Sequence, residues 1–312
     1  MTKTITDKID NITHIAPEYL TTICPPPKSV KIELIRNCNY KCKFCSHSEL
    51  STQTGQMPWD MYTALIDQLT SLGVKEIAPF FFGESFLDYR LADSIKYAKD
   101  KGIPYVFLTT NGSLASIDKV KSCMKNGLNS LKFSLNYADA EQFKEVARVN
   151  EKYFSKAITN LKNARHIRDQ YNYDCGIFAS YIRYDNEQGE KMKKLIDEIS
   201  PYCDEVYELP LYSQAGNIEN DSWKFSAGNM GRAGNPVPPI PCFGVGYASG
   251  HVDYQGNLIS CCFITGDQFN MGNFTESSFM EVWNNKQYQE LRQAHLDKNI
   301  SNTPCEKCVM WN

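Results

Sequence analysis

The residues best suited to chemistry are three cysteines near the start of the chain. Cys38, Cys42 and Cys45 follow the spacing C-x3-C-x2-C and come just after an apolar, strand-like run at residues 30–35. Thiolates this close together on one short loop can converge on a single metal centre. Three ligands are one fewer than complete an ordinary iron–sulfur cluster, so a [4Fe–4S] cluster held here would keep one iron open to an outside ligand.

Two simpler explanations of this loop stay open. Zinc sites usually pair C-x2-C units with two further Cys or His ligands, and His47 could supply one of them. Buried core cysteines are the other alternative, because an unreactive cysteine behaves as a small apolar side chain.

The length and composition of the chain narrow the classes of protein to which it can belong. A chain of 312 residues suits one barrel-sized domain with a small appendage. The net charge of −3 argues against a nucleic-acid surface, and no apolar run approaches the roughly 18 residues of a membrane span. Without a signal peptide, twelve cysteines in a long chain indicate metal or redox chemistry in a reducing compartment. We therefore expect a cytoplasmic protein that binds neither nucleic acid nor membrane.

Helical and strand-like patterns alternate along the chain after the cysteine loop. The first three predicted helices cover residues 58–72, 89–101 and 115–126. Each is followed by a glycine and then by an apolar, strand-like run. A longer helical stretch at about 139–170 and a helix at about 187–199 each precede a further strand. With residues 30–36 as the first strand, this rhythm predicts an α/β fold with a partial (β/α)6 TIM-like barrel. Pro79 predicts an early break or a bulge in the second strand, at 74–82.

The barrel is expected to be one of four parts. We predict an N-terminal extension at residues 1–29, the barrel at 30–211, a Gly-, Asn-, Ser- and Pro-rich linker at 212–241, and a cysteine-rich domain at 242–312.

A second set of cysteines lies in the last part of the chain. Cys242 and Cys261 flank Gly256 in a C-x13-G-x4-C run, and Cys305 and Cys308 form a C-x2-C pair. Residues 251–261 are expected to form a hairpin, and residues 277–296 a helix. A hairpin cysteine with a C-x2-C pair has the spacing of a metal site, although four cysteines alone do not separate zinc from iron–sulfur.

Both cysteine regions resemble those of one enzyme family. The first loop, with the aromatic residue Phe44 before its last cysteine, resembles the signature of the radical S-adenosylmethionine (radical SAM) enzymes. In that family the open iron chelates the methionine part of S-adenosylmethionine, which then breaks to give a 5′-deoxyadenosyl radical. The C-terminal run, with Met271-Gly-Asn and Val282-Trp-Asn, resembles the SPASM/Twitch extension of the family.

The resemblance implies two [4Fe–4S] clusters. The first would be held by Cys38, Cys42 and Cys45. The second, an auxiliary cluster, would be held by Cys242, Cys261, Cys305 and Cys308. Cys262 is a weaker candidate, because the neighbour of Cys261 on a strand would point to the opposite face.

The resemblance also implies which residues bind S-adenosylmethionine. The segment Phe81-Phe82-Gly83-Glu84 resembles the G-G-E motif of the family, with phenylalanine in place of the first glycine. Glu84 would accept a hydrogen bond from the amino group of the cofactor, and Gly83 would let the backbone approach closely. Asn111, Ser134 and Asn136 follow the third and fourth strands, at the end where barrel enzymes build their sites. Helix capping is the alternative for Ser and Asn at such positions.

Two charged residues are candidates for contact with the substrate. Arg183 and Glu208 lie near the ends of the fifth and sixth strands and are expected to point towards the substrate space. They could bind the substrate or transfer a proton.

These features predict a radical SAM oxidoreductase that abstracts hydrogen from a small-molecule substrate, in an oxidation assisted by one auxiliary cluster. An external one-electron donor such as flavodoxin or ferredoxin would reduce the first cluster. A peptide- or protein-modifying maturase is the alternative; only about 29 residues precede the first strand, too few for a peptide-binding domain. A non-enzymatic metal-binding or electron-transfer protein is a second alternative, which would leave Glu84 and the strand-end polar residues unexplained.

Overall fold

The computed structural model describes residues 5–8, 14–47, 53–184, 186–209, 211, 240–263 and 266–306. Most of the expected linker, at residues 212–239, and Cys308 lie outside these ranges. Among the described helices, none has the length and apolar character needed to cross a bilayer.

Six parallel strands with helical crossovers form the first part of the fold, as the sequence predicts. The strands pair in chain order: β1 (Ser29–Ile32), β2 (Glu76–Ala78), β3 (Tyr105–Thr110), β4 (Ser130–Ser134), β5 (Gly176–Ile182) and β6 (Glu205–Leu209). The helices between them are α1 (Trp59–Ser71), α2 (Leu91–Asp100), α3 (Ile117–Lys125), α4 (Ala140–Ala147), α5 (Lys152–Tyr171) and α6 (Asn186–Ile199). This is the partial (β/α)6 barrel of an α/β protein.

Local signals in the sequence mark where several elements end. Gly73, Gly102 and Gly127 follow α1, α2 and α3 with φ angles of +75°, +97° and +98°, a conformation that side-chain-bearing residues rarely adopt. Strand β2 ends at Ala78, so the early break that Pro79 predicts is confirmed.

The helical stretch expected at 139–170 is instead two helices. Helix α4 ends at Arg148, whose φ of +54° lies in the left-handed region. The carbonyl oxygens of Val146 and Ala147 accept hydrogen bonds from the amides of Lys43 (2.9 Å) and Lys41 (3.0 Å). Carbonyls in the last turn of a helix have no donor within the helix, and here the cysteine loop supplies two. A tertiary contact of this kind leaves no mark in the local sequence pattern.

The C-terminal region extends the barrel sheet. Strand β7 (Ser249–Val252) pairs in parallel with β1, and β8 (Asn257–Ile259) and β9 (Asn270–Asn273) follow in antiparallel, which confirms the predicted hairpin. Within the described residues the strand order is β6-β5-β4-β3-β2-β1-β7-β8-β9. The single helix expected at 277–296 is divided into α7 (Phe279–Trp283) and α8 (Lys286–Leu296), because the Asn285 side chain accepts from the Tyr288 amide and caps a new helix.

Alternate residues of the parallel strands face the helices and the barrel interior. The helix-facing set is apolar and belongs to the main core; it includes Val30, Ile77, Leu108, Leu131, Phe133 and Ile177. The register places the other set on the interior face: Lys31, Glu76, Phe107, Lys132, Phe178 and Tyr207. Charged and aromatic side chains therefore line the interior.

A buried ion pair joins the barrel to the C-terminal sheet. The Arg36 guanidinium lies 2.7 Å from the Glu33 carboxylate and 3.9 Å from that of Asp253. The rings of Phe82 and Tyr254 cover the guanidinium at 5.5 and 5.1 Å. Burial raises the pKa of Glu33 to about 6, an effect that the neighbouring Arg36 opposes.

Arg36→Leu is expected to lower the free energy of unfolding by about 3–5 kcal/mol, because it leaves buried carboxylates without their cation. Urea unfolding followed by circular dichroism measures the change. Lys28→Leu is the control, since the 4.0 Å pair between Lys28 and Glu18 is exposed and should contribute less than about 1 kcal/mol. Equally small losses in both variants would contradict a structural role for Arg36.

Candidate functional site

The first cysteine loop follows β1 at the carboxyl end of the parallel strands. The end of α4 and a cluster of apolar side chains support it. Its backbone donates to the end of α4, as described above. The Tyr40 ring packs edge-on against Phe143 at 5.3 Å, in an apolar cluster that also contains Tyr137. Phe44 is half-buried and packs against this cluster and the main core. The loop conformation is therefore fixed by the fold around it.

The three thiols of this loop are close enough to affect one another. Burial raises the pKa of Cys38 to about 12, with a further contribution from the Glu84 carboxylate. Burial and then the thiols of Cys38 and Cys45 raise the pKa of Cys42 well above its usual range. Across the described part of the chain, no three Cys, His, Asp or Glu side chains stand in the closed arrangement of a single metal ion. Buried thiols that repel one another when ionised fit a cationic iron–sulfur cluster, whose charge offsets theirs.

Gly83 lets the segment that follows β2 pack against the cysteine loop. A Cβ atom at this position would lie 1.9 Å from the Ile35 carbonyl oxygen and 2.8 Å from that of Asn37. The next amide, of Glu84, donates to the Asn37 carbonyl at 2.9 Å. The close approach that the sequence predicts for Gly83 is thus made to the backbone that leads into the cysteines.

The Glu84 carboxylate is buried and accepts three hydrogen bonds. Its Oε1 accepts from Thr110 Oγ1 (2.8 Å) and from the Phe86 amide (3.1 Å), and its Oε2 accepts from the Asn111 amide (2.8 Å). Burial raises the pKa of Glu84, and these bonds act in the opposite direction. A carboxylate offers about four acceptor positions, so Glu84 can join the strand ends and still accept one more donor.

Asn111 links the cysteine loop to the end of β3. Its Nδ2 donates to Asn39 Oδ1 at 2.9 Å, and its Oδ1 accepts from Ser113 Oγ at 2.8 Å. Asn39 Nδ2 donates to the same Ser113 oxygen at 2.9 Å. Neither Asn39 nor Ser113 is predicted as a site residue from the sequence, although Asn39 lies between the first two cysteines.

The buried polar atoms without a hydrogen-bond partner among the described residues include a group of three: Thr109 Oγ1, Asn136 Oδ1 and Ser180 Oγ. They lie at the carboxyl ends of β3, β4 and β5, and Ser134 pairs with Ser180 in the register. An unsatisfied buried polar group costs about 1–3 kcal/mol, so a polar ligand at this end of the barrel would complete them. Asn136 was selected from the sequence; Thr109 and Ser180 could be found only once the register was known.

The second set of cysteines also forms a group. Burial raises the pKa of Cys261 well above its usual range, and the thiols of Cys262, Cys305 and Cys242 add to the effect. The Gly244 amide donates to Cys242 Sγ (3.4 Å) and the Phe263 amide to Cys261 Sγ (3.5 Å). The Tyr40 amide donates to Cys38 Sγ (3.5 Å) in the same way: in each case the donor amide lies two residues after the cysteine. Hydrogen bonds of this kind stabilise thiolates bound to iron–sulfur clusters.

Cys262 lies with this group and not away from it. A side chain on Gly244 would contact the sulfurs of both Cys242 and Cys262 at 3.5 Å. Strand alternation predicts that Cys262 points to the opposite face. Strand β8 ends at Ile259, however, so strict alternation does not reach residues 261 and 262.

Arg183 and Glu208 do not point into the barrel interior, so their expected placement is wrong. They lie 3.4 Å apart as an ion pair, with 44% and 31% of their side chains exposed. Glu208 pairs with Tyr181 in the register and alternates with Tyr207, which faces the interior. Glu208 thus belongs to the outer set of β6, and Arg183, one residue beyond the end of β5, pairs with it there.

Family models match most of this chain. The model of the radical SAM superfamily matches residues 32–197, and that of an iron–sulfur cluster-binding domain, SPASM, matches 242–309. GTP 3′,8-cyclase of Chlorobaculum tepidum is 31% identical over 134 residues, or 42% of this chain and 40% of the relative. The uncharacterized protein MJ0804 of Methanocaldococcus jannaschii is 26% identical over 210 residues, 66% of this chain and of the relative. The chain thus spans about two fifths of the cyclases it matches.

Solved structures share the fold. BtrN in complex with AdoMet and 2-DOIA has a TM-score of 0.59 at 19% identity, over 90% of this chain and 92% of that one. Streptococcus suis SuiB bound to the precursor peptide SuiA has a TM-score of 0.61 at 16% identity, over 97% and 72%. The family implies that S-adenosylmethionine and [4Fe–4S] clusters are the cofactors. The matched domains, the partial barrel and the two cysteine groups together identify the chain as a member of the radical SAM superfamily with a SPASM domain.

Proposed function

We propose that the protein abstracts a hydrogen atom from a carbon of a small-molecule substrate in the barrel interior, in a net oxidation. When bound, S-adenosylmethionine and the first cluster supply the 5′-deoxyadenosyl radical, and the auxiliary cluster supplies an electron acceptor. An external donor such as flavodoxin or ferredoxin provides the first electron, and the reaction takes place in the cytoplasm.

We assign the cluster ligands by the spacing of the cysteines in the sequence, together with the placement of those that the structure describes. Cys38, Cys42 and Cys45 hold the first cluster. For the auxiliary cluster we assign Cys242, Cys261, Cys305 and Cys308, of which Cys308 lies outside the described residues. The buried thiols and the amides that donate to their sulfurs support both assignments.

We assign the binding of S-adenosylmethionine to the strand ends beside the first loop. Glu84 keeps one acceptor position for the amino group of the cofactor. Asn136, together with Ser134, lies where the ribose hydroxyls and the carboxylate could meet polar side chains. Gly83 and Asn111 position the cysteine loop, and Phe44 shields it from water.

The observation that carries the oxidation is the direct contact between the two cysteine regions. Ser46 Oγ, next to Cys45, donates to the Phe263 carbonyl at 3.0 Å, and the Phe263 amide donates to Cys261 Sγ. After hydrogen abstraction, the substrate radical must lose one electron and one proton to become an oxidised product. The auxiliary site adjoins the wall of the interior and is a suitable acceptor for that electron.

One aromatic residue lies between the interior and the auxiliary site. The Phe81 ring stacks on His251, which pairs with Lys31 in the register, at a centroid distance of 5.6 Å. Phe81 and Cys261 both pack against the apolar pair Ile259 and Phe269. A substrate beside His251 would therefore be separated from the auxiliary cysteines by little more than this ring.

A peptide substrate is the second candidate, because the similar SuiB structure contains a bound precursor peptide. Incubation of the reconstituted, reduced enzyme with deuterated small molecules and with deuterated peptides separates the two. The proposal expects deuterium in 5′-deoxyadenosine, and a product three mass units lighter than the deuterated small molecule, which loses one deuterium and one proton. Deuterium transfer from peptides alone would contradict it.

The cluster assignment predicts the iron content of variants. The wild type should bind about eight irons, and replacement of Cys38, Cys42 and Cys45 by alanine should leave about four and abolish 5′-deoxyadenosine formation. Cys305→Ala should lose iron from the auxiliary site, whereas the control Cys123→Ala, at a buried cysteine of the main core, should keep about eight. Anaerobic reconstitution followed by iron and sulfide analysis measures this. Stoichiometric zinc without labile sulfide in the wild type would contradict the assignment.

Glu84→Gln is expected to weaken S-adenosylmethionine binding about ten- to a hundredfold with both clusters retained, since a charge-assisted bond to the cofactor is lost. The amide oxygen can still accept from Thr110 and Phe86, so the fold should be less disturbed than in Glu84→Ala. Equilibrium binding measures the affinity, with the exposed Asp93→Asn as the control. An unchanged affinity would contradict the assigned contact.

The double variant Cys305→Ala with Cys308→Ala tests the electron acceptor. It should keep the first cluster and still cleave S-adenosylmethionine, but make little oxidised product, because the substrate radical has lost its acceptor. The ratio of product to 5′-deoxyadenosine, measured by mass spectrometry, should fall at least tenfold. A full product yield from a well-folded variant would reduce the auxiliary cluster to a structural element and favour epimerisation or coupling.

A further inference from the structure

Two lysines face the barrel interior from different strands. Lys31 is the third residue of β1 and Lys132 the third residue of β4, and both belong to the interior-facing set. Lys132 Nζ lies 5.8 Å from the ring centroids of Phe107 and Tyr207, and Lys31 Nζ lies 5.8 Å from that of Phe80. Phe80 and Phe107 contact each other edge-on at 5.3 Å. The two ammonium groups therefore share one aromatic-walled space.

In the part of the chain that the structure describes, neither lysine ammonium makes a hydrogen bond or a direct ion pair. The charge of Lys31 acts on the Glu76 carboxylate, however, and opposes the rise in its pKa that burial causes. Burial and then the charge of Lys31 lower the pKa of Lys132 to about 7, so the two groups repel each other across the interior. An unpaired ammonium among aromatic rings is costly, and an anion between the lysines would relieve both the desolvation and the repulsion.

The acidic side chains of the interior lie deeper and are already engaged. Glu76 and Glu205 are the first residues of β2 and β6, at the end of the barrel away from the cysteine loop. Glu76 accepts from Ser29 Oγ at 2.7 Å, and Glu205 accepts from the Ile5 amide at 2.8 Å. The carboxylates of the interior therefore lie at the amino ends of the strands, where Lys8 also acts on Glu76, whereas Lys31 and Lys132 lie nearer to the cofactor site.

The lysines lie close enough to the polar strand ends for one small substrate to contact both. Lys132 lies two residues before Ser134 on the same face of β4, a distance of about 7 Å along the strand. The unsatisfied atoms of Thr109 and Ser180 lie near the same end of the barrel. A substrate with an anionic group between the lysines would place its next few carbons beside these hydroxyls, below the cysteine loop.

We propose that Lys31 and Lys132 form an anion subsite that binds a carboxylate or phosphate group of the small-molecule substrate. This inference rests on the proposed function, because it assigns the substrate class of the same interior. The lysines anchor the anionic end, while the hydroxyl-rich end of the barrel receives the carbon from which hydrogen is removed.

Isothermal titration of the reconstituted enzyme, saturated with S-adenosylmethionine, tests the subsite with inorganic phosphate and with succinate. At least one of these anions should bind the wild type, and the tighter of the two tells a phosphate subsite from a carboxylate subsite. Lys132→Met and Lys31→Met should each weaken that binding about ten- to a hundredfold. Lys132→Arg, which keeps the charge, should stay within about threefold of the wild type, and the exposed Lys125→Met should not change it.

Iron content and circular dichroism establish that each variant is folded. If one methionine variant does not fold, the other methionine variant and Lys132→Arg still test the subsite. Equal binding by all variants, or no binding of either anion, would overturn the subsite. Binding of an acidic peptide but of neither small anion would overturn it in favour of a peptide substrate. Because 5′-deoxyadenosine formation by the wild type is measured separately, the subsite can fail while the radical SAM function stands.

Discussion

The site depends on the docking of the first cysteine loop against the backbone of neighbouring elements. The end of α4 presents carbonyls to the loop, and the loop presents the Asn37 carbonyl to the Glu84 amide. Gly83 makes the second contact possible, since any side chain there would collide with the Ile35 carbonyl. Three thiols that repel one another when ionised cannot hold their own loop together, so the surrounding barrel must do so.

Contacts with the cysteine loop also explain the polar residues around it. Glu84 and Asn111 were selected as cofactor ligands, and the structure shows that both also connect strand ends to the cysteine segment. Such residues hold the cysteine segment in place in the protein alone. The unsatisfied atoms of Asn136, Thr109 and Ser180 differ from them, because nothing in the described protein uses their hydrogen-bonding capacity. Residues that position the site and residues that await a ligand can therefore be told apart by their hydrogen bonds.

The sequence predicted what local patterns determine. Glycines with positive φ ended the helices, Pro79 ended β2, and cysteine spacing located both metal-binding regions. Features that depend on long-range contacts were not predictable. The break at Arg148 follows from the docking of a loop about 105 residues earlier. Arg183 and Glu208 were misplaced because the face of a strand residue is fixed by the register, and the interior lysines were overlooked for the same reason.

The parallel pairing of β7 with β1 has a consequence for the rate of electron transfer. The hydrogen-bonded ladder from Ser29–Ser249 to Ile32–Val252 carries the first cysteine loop on one strand and the auxiliary hairpin on the other. Two redox centres mounted on adjacent strands cannot drift apart when a substrate enters or a product leaves. In the proposed oxidation, tunnelling slows steeply with distance, so a spacing of the two cysteine regions that is set by strand pairing would also set the rate at which the auxiliary site accepts an electron.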